Sequence, residues 1–198
     1  MAEISAKLVK ELREKTGTGM MDCKEALAAT GGDMTKALEF LRKKGLATAQ
    51  KRAGRATSEG AIAAYIHLGA KLGVMVEVNS ETDFVAKNEQ FQEFAKNIAM
   101  HIAASNPLAI RPEDVSAEIV AKEREIYAAQ AKETGKPEKV IEKIVEGKLK
   151  KFFEDNCLLQ QPYVRNPDIT VGDLLNDLIA KIGENISIRR FVRFQVGD

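Results

Sequence analysis

A short polar stretch, residues 79–88, contains one large aromatic side chain, Phe84, which is unusual in a polar loop. Residues 79–88 follow an apolar run, and Phe84 lies between Asp83 and Val85. An aromatic residue exposed in a loop is typical of an anchor for a partner protein, because aromatic anchors dominate interface energetics. The spacing supports an alternative equally well, in which Phe84 folds back onto the next helix at Phe91.

Residues that could perform covalent chemistry are few. Cys23 and Cys157 lie far apart, and neither His67 nor His101 has Cys or Asp at a ligand spacing. The chain has no glycine-rich phosphate loop and no nucleophile elbow. Cys23 beside Lys24 could be an activated thiol, but a small residue packed in a helix is the favoured interpretation. We therefore expect no enzyme, no metal and no cofactor.

The overall composition excludes several classes of protein. The 198 residues include 30 basic and 29 acidic side chains, a net charge of +1, which argues against a dedicated DNA-binding protein. Hydrophobic residues make up 44%, enough for a folded core. Two cysteines suit a reducing compartment, and the chain start lacks the pattern of a secretory signal. No apolar stretch is long enough for a membrane span, so we expect a cytoplasmic protein.

The charge is unevenly distributed along the chain. Residues 1–55 hold twelve basic and seven acidic side chains, whereas the remainder is acidic. Between residues 42 and 55 every charged side chain is basic, with small residues between them. We expect an N-terminal module (residues 1–55) made of three helices and a mobile basic linker, followed by a body (residues 56–198). A solvated hinge is favoured over a phosphate-binding linker, because no aromatic residues are interleaved for base stacking.

Helical periodicity and turn residues predict the elements of the module. Ile4, Leu8 and Leu12 form one apolar stripe. Asp33 is a candidate cap for the third helix, whose apolar face begins at Met34. Three helices of this length form a small bundle, close to the lower limit for independent folding.

The body combines apolar runs with amphipathic helices. Residues 61–67 and 74–78 are predicted strands joined by a glycine turn, and the last strand alternates from Ile186 to Val196. Amphipathic stripes predict a helix after Asn88 and a helical hairpin at about 113–153. The predicted fold is α+β, with a three-stranded antiparallel sheet, helices on one face and a projecting helical hairpin.

Five blocks of the sequence together resemble bacterial translation elongation factor Ts. They include the opening helix, the Thr-Gly-Thr-Gly-Met-Met segment and the Thr-Asp-Phe-Val loop, and they follow the order of that family along nearly the whole chain. The blocks are residues 2–13, 16–27, 82–88, 100–105 and 181–186.

The resemblance implies a guanine-nucleotide exchange factor for elongation factor Tu, binding its GDP-bound and nucleotide-free forms. In this family the amino-terminal helices, similar to a ubiquitin-associated domain, dock on the nucleotide-binding domain of the partner. The loop that maps to Thr82, Asp83, Phe84 and Val85 pushes in near the magnesium site, where its aromatic ring wedges between helices. The resemblance thus favours a partner contact for Phe84.

Three further residues carry weaker expectations from the same family. His101 matches a helix motif and is assigned as a partner contact, although a packed or helix-capping histidine is about as probable. Met20 and Met21 could grip the partner through flexible, polarizable side chains. The alternative, favoured for at least one of them, is that it closes the small helical bundle.

The family's long form has a duplicated core, whereas this chain has one three-strand set. Two copies could pair to supply the missing surface, with the strand from Ile188 to Val196 as the candidate edge. Two other functions stay open at this point. The first is an RNA- or ribosome-associated protein that uses the basic linker, and the second is a regulatory adaptor that uses the three helices. Direct nucleic-acid binding is not expected if the exchange role holds.

Overall fold

The structure is a computed structural model and describes residues 4–197. Ala2 and Glu3, which open the first matching block, lie outside the described residues. The helices are α1 Ala6–Thr16, α2 Met20–Ala29, α3 Met34–Arg52, α4 Asp83–Ala86, α5 Glu89–Ser105, α6 Ala117–Lys132, α7 Glu138–Asn156 and α8 Val171–Ile182. The strands are β1 Glu59–Ile66, β2 Leu72–Ser80, β3 Pro162–Tyr163, β4 Asn166–Thr170 and β5 Ile186–Gln195.

The α+β class and the three-stranded antiparallel sheet are confirmed. The strand order is β1-β2-β5, so β2 is central and β5 is an edge strand, as the sequence suggested. A second, two-stranded antiparallel sheet pairs β3 with β4. It was not predicted, because neither segment alternates polar and apolar residues.

Gly60 marks the point where β1 approaches the neighbouring strand most closely. Its φ of +151° suits glycine, and a Cβ atom there would collide with the carbonyl oxygen of Val78 and lie 2.7 Å from the Cα of Asn79. The side chain of Asn79 also donates to the carbonyl of Glu59 over 3.2 Å. Glycine is therefore required where β2 runs toward the loop that carries Phe84.

The chain forms two compact units. The first unit takes the described residues up to Ile62 together with Glu77–Ala95 and Leu174–Arg189. The second takes Ala63–Val76, Lys96–Asp173 and the described residues from Arg190 on. The predicted division at residue 55 stays a prediction, as does the similarity of the first three helices to a ubiquitin-associated domain.

Helices α1 to α3 pack around a small apolar core in the first unit. Its buried members are Val9, Leu12, Cys23, Ala26, Leu27, Ala37 and Leu41. Asp33 caps α3 as expected, because its carboxylate accepts from the backbone N–H of Lys36 at 3.0 Å. Burial of Cys23 in this core agrees with the interpretation of a packed residue.

The predicted mobile linker is wrong for most of its length, because α3 continues to Arg52. Gly45 and Ala49 are buried on this helix, and a Cβ at Gly45 would lie 3.3 Å from the Cβ of Ala180 on α8. The small residues between the basic side chains therefore allow two helices to pack closely. They are not spacers of a flexible segment.

The apolar alternation of β5 does not mark one buried face along the whole strand. Ile186 and Ile188 are buried, whereas Val192 and Phe194 are exposed. Arg193 lies on the inner side instead, where its Nε donates to the carbonyl oxygen of Ala103 over 3.5 Å. The long stem of an arginine can cover apolar surface, whereas Val192 and Phe194 stay in solvent.

The predicted helical hairpin is present in the second unit as α6 and α7. Ala131, Val145 and Leu149 form the buried centre of its contact surface. Arg124 donates to Glu146 across the two helices over 2.6 Å. The apolar stripe predicted for the second helix thus faces the first.

Candidate functional site

The Phe84 turn (residues 82–86) is a single helical turn that begins directly beyond β2. Thr82 has extended backbone angles and caps α4, because its Oγ1 accepts from the backbone N–H of Val85 at 3.4 Å. A Thr side chain at this position satisfies an amide that the helix leaves unpaired. The cap therefore sets where the turn begins and which way its side chains point.

The turn separates its side chains into an inner and an outer set. Val85 and Ala86 are buried, whereas 82% of Phe84 is exposed to solvent. Phe91 is fully buried on α5. Phe84 therefore does not pack onto the helix face, and the fold-back alternative is excluded.

Asp83 and Lys87 form an exposed ion pair beside the ring. Lys87 Nζ donates to Asp83 Oδ2 over 2.7 Å, one helical turn apart. The hydrogen bond from Lys87 lowers the pKa of Asp83, and the same bond raises the pKa of Lys87. Both groups are charged at neutral pH, so a negative and a positive charge lie on the same helical turn as the exposed ring.

A second segment of the chain supports the turn from outside. The carboxylate of Glu184 accepts from the backbone N–H of Thr82 at 3.1 Å and from its hydroxyl at 2.9 Å. Sequence reasoning gave Glu184 no role, although it lies in a block that resembles the family. The two residues are 102 positions apart, and no local pattern links them.

Met20 and Met21 are the first two residues of α2 and are both exposed, at 58% and 76%. The expectation that at least one of them closes the bundle is therefore wrong. Gly19 precedes them as the helix cap, and the apolar face of α2 begins only at Cys23. Their exposed thioether side chains are available to a partner, and the partner contact stays a prediction.

His101 is fully buried in the second unit. The backbone N–H of Val164 donates to its Nδ1 at 3.2 Å, so the proton of the neutral ring lies on Nε2 and is donated to Gln161 Oε1 at 2.9 Å. Gln161 in turn donates to the carbonyl of Asp155 at 2.7 Å. Burial lowers the pKa of His101, partly offset by the bond to Gln161.

The position of His101 matches the packed alternative that its spacing left open. Its ring lies 6.0 Å from the ring of Tyr163, and both nitrogens are used within the protein. A direct partner contact through this side chain stays a prediction.

Within residues 4–197, no group of three or more His, Cys, Asp or Glu side chains is arranged to hold a metal ion. Over the same residues, no helix has the length and apolar character that crossing a membrane requires.

Comparison with known proteins identifies the family. The family model for elongation factor Ts matches residues 34–198. Elongation factor Ts of Desulfosudis oleivorans is 63% identical over 198 residues, which cover all of both chains. The protein of that name from Syntrophobacter fumaroxidans is 62% identical over 196 residues, 99% of this chain and 98% of the relative.

A third relative, elongation factor Ts of Carboxydothermus hydrogenoformans, is 61% identical over 195 residues, 98% of this chain and 90% of its own. The similarity therefore extends over nearly the whole chain. The chain belongs to the elongation factor Ts family and is a translation elongation factor.

Proposed function

We propose that this protein is a guanine-nucleotide exchange factor for elongation factor Tu and that Phe84 is the group that acts on the partner. The observation that carries the proposal is an 82% exposed phenylalanine on a capped, externally supported turn. Leaving such a ring in water is unfavourable by itself, since burying a phenylalanine is worth about 1.5–3 kcal/mol. A partner that covers the ring recovers this free energy.

In the proposed mechanism, Phe84 enters the partner beside the magnesium ion and the phosphates of GDP. GDP affinity depends on the metal and on backbone amides that hold the phosphates, both of which tolerate little displacement. A ring that moves the helices next to these groups weakens both. Val85 and Ala86 anchor the turn in this protein while Phe84 is inserted.

The energetics require coupling and no covalent step. If the factor weakens GDP binding, GDP must weaken binding of the factor by the same ratio. A coupling free energy of about 4 kcal/mol corresponds to roughly a thousandfold change in affinity. GTP then binds the emptied site and releases the factor. The protein therefore acts by binding and is not an enzyme in the usual sense.

Met20 and Met21 supply the proposed second contact. Both lie at the start of α2, and in the family the amino-terminal helices dock on the nucleotide-binding domain of the partner. Flexible thioether side chains adapt to an apolar surface at small cost. We propose that this contact contributes to the affinity for the partner, whereas Phe84 promotes the release of GDP.

The basic segment (residues 42–55), which begins on α3 and continues past its end at Arg52, is not the proposed functional surface. Lys44 donates to Glu25 over 2.6 Å and to Asp22 over 2.9 Å, and both bonds raise its pKa. Arg55 lies 3.6 Å from Glu81. Lys44 and Arg55 are therefore already paired with carboxylates of the protein, and no aromatic residues are interleaved in the segment for base stacking, so direct nucleic-acid binding is not part of the proposal.

A second copy of this chain is the proposed occupant of the exposed apolar side of β5. Ile66, Met75, Phe194 and Val196 line one groove, and β5 is an edge strand. The unpaired backbone groups of an edge strand pair readily with another strand, and a second copy bound there could also cover the apolar groove. Phe194→Asp should shift a homodimer to monomer in sedimentation equilibrium, and a wild-type chain that stays monomeric at high concentration would refute the dimer.

The exchange proposal is tested by release of fluorescent GDP from elongation factor Tu, with and without this protein, at two salt concentrations. Strong acceleration that persists at the higher salt supports the proposal. A chain that leaves GDP release unchanged, yet binds RNA with an affinity that falls steeply with salt, would favour the nucleic-acid alternative. Because translation takes place in the cytoplasm, we propose that compartment for the activity.

A further inference from the structure

We propose that Glu184 is a positioning residue that holds the Phe84 turn in the geometry from which the ring enters the partner. The inference rests on the proposed function of Phe84 and extends it to a residue on a distant segment of the chain. Both segments belong to the first compact unit.

The carboxylate of Glu184 is bonded to two donors of Thr82, its backbone N–H and its hydroxyl. Oε2 accepts from the Thr82 backbone N–H at 3.1 Å, and the Thr82 hydroxyl lies 2.9 Å from Oε1 and 3.1 Å from Oε2. The same hydroxyl oxygen accepts from the N–H of Val85. One continuous set of hydrogen bonds therefore runs from Glu184 through Thr82 to the amide that follows Phe84.

Asn185 fixes the position of Glu184 itself. Its backbone N–H donates to Glu81 Oε1 over 2.6 Å, and its side-chain amide donates to the carbonyl of Arg55 over 2.8 Å. Ser80 is fully buried and donates to the Thr82 carbonyl over 2.9 Å. Each of residues 80–82 thus makes a hydrogen bond that orders this segment. The bonds of Asn185 to Glu81 and Arg55 order the segment that carries Glu184.

Such support is needed because α4 is only four residues long. An isolated helical turn is unstable in water, since one or two hydrogen bonds do not offset the ordering of its backbone. Bonds to a charged acceptor are about twice as strong as neutral ones. By ordering the turn before binding, Glu184 removes an entropy cost that would otherwise reduce the effect of the inserted ring.

The first test reads the order of the turn without any partner. In the wild-type chain, ¹⁵N relaxation should give residues 83–86 order parameters of about 0.85, and Glu184→Gln should lower them below about 0.6. Glutamine keeps the size of the side chain but presents an N–H₂ group to one of the two Thr82 donors. Unchanged order parameters in Glu184→Gln would overturn the proposal.

The second test reads the exchange reaction as a function of factor concentration. Glu184→Gln should lower the maximal rate of GDP release about tenfold, the loss expected for a charged hydrogen bond, while the half-saturating concentration changes little. Glu154→Gln is the matched control, because that carboxylate lies in exposed pairs with Lys150 and Lys151 at 3.8 and 4.0 Å and away from the Phe84 turn in sequence. A Glu184→Gln variant with wild-type exchange would also overturn the proposal.

The two tests separate this inference from the function on which it rests. If the wild-type chain does not accelerate GDP release, the proposed function fails, and the order parameters still decide whether Glu184 holds the turn. Thr82→Val, which loses the hydroxyl, should lower both the order parameters and the rate of GDP release. Thr82→Ser, which retains the hydroxyl, should keep both closer to the wild-type values. Thermal unfolding of each variant excludes a global loss of structure as the cause.

Discussion

Phe84 and His101 are both residues that family resemblance assigns to a partner contact, and the structure places them in opposite environments. Phe84 is exposed on a short turn whose backbone is held by its neighbours. His101 is fully buried, and both of its ring nitrogens are bonded within the protein. The difference shows that resemblance to a family motif does not by itself say whether a side chain faces a partner or the core.

The same contrast separates two kinds of role. An exposed apolar ring contributes little to folding and is free to act on another molecule. A buried histidine whose bonds are satisfied contributes to folding, and its loss reaches function only through the structure it supports. Substitutions at the two positions should therefore affect different measurements.

The largest effect is expected from Phe84→Ala on exchange. Removing the ring takes away the group that displaces the partner's helices, so the maximal rate of GDP release should fall by about a hundredfold, the scale of one interface anchor. The melting temperature should stay unchanged because the ring is exposed. Leu108→Ala, at another exposed apolar residue, is the control and should retain wild-type exchange.

The opposite pattern is expected from His101→Ala. The substitution leaves the N–H of Val164 and the Oε1 atom of Gln161 without their His101 partners and opens a cavity, so the free energy of unfolding should fall by about 2–4 kcal/mol. Urea titration followed by circular dichroism measures this loss. Exchange by the folded variant should stay near the wild-type level, and a selective loss of exchange at full stability would support a direct contact instead.

A smaller effect is expected from pH, again through His101. Its pKa is lowered in the folded state, so the unfolded chain takes up a proton more readily once the pH falls below about 6.5, the ordinary value. This contribution to stability is therefore complete above that pH and is lost progressively below it. Urea titrations at pH 7.5 and 5.5 should show a larger drop for the wild type than for His101→Gln.

The smallest effect is expected from Asp83→Asn on folding. The pair with Lys87 is exposed, and exposed ion pairs contribute little to stability. The melting temperature of the variant should match that of the wild type within error. Its exchange rate should become less sensitive to salt, since rim charges mainly affect association.

Much of the fold could be predicted from local patterns. Apolar runs indicated β1 and β2, and helical stripes indicated α5 and the hairpin of α6 and α7. The predictions were wrong where one sequence pattern can have two physical causes. Small residues between basic ones are typical of linkers, but Gly45 is small because Ala180 lies against it. Apolar alternation is typical of a buried face, but Val192 and Phe194 continue that pattern on β5 and are exposed.

The candidate site was predictable only in part. The Thr-Asp-Phe-Val loop stood out because one aromatic residue interrupts a polar stretch, and resemblance pointed to its function. The support from Glu184 depends on a contact across 102 positions, for which a single sequence carries no signal. The expectation that Met20 or Met21 closes the bundle is wrong, because amphipathic spacing does not decide between a bundle core and a docking surface at a helix start.

The central claim is most directly tested by the affinity of this protein for elongation factor Tu with and without GDP. Isothermal titration calorimetry at one salt concentration measures both dissociation constants. Exchange by coupling predicts that GDP weakens binding by about a thousandfold, since the two ligands must affect each other equally. Equal affinity for the GDP-bound and nucleotide-free forms would contradict the account, because such a factor could not change the affinity of its partner for GDP.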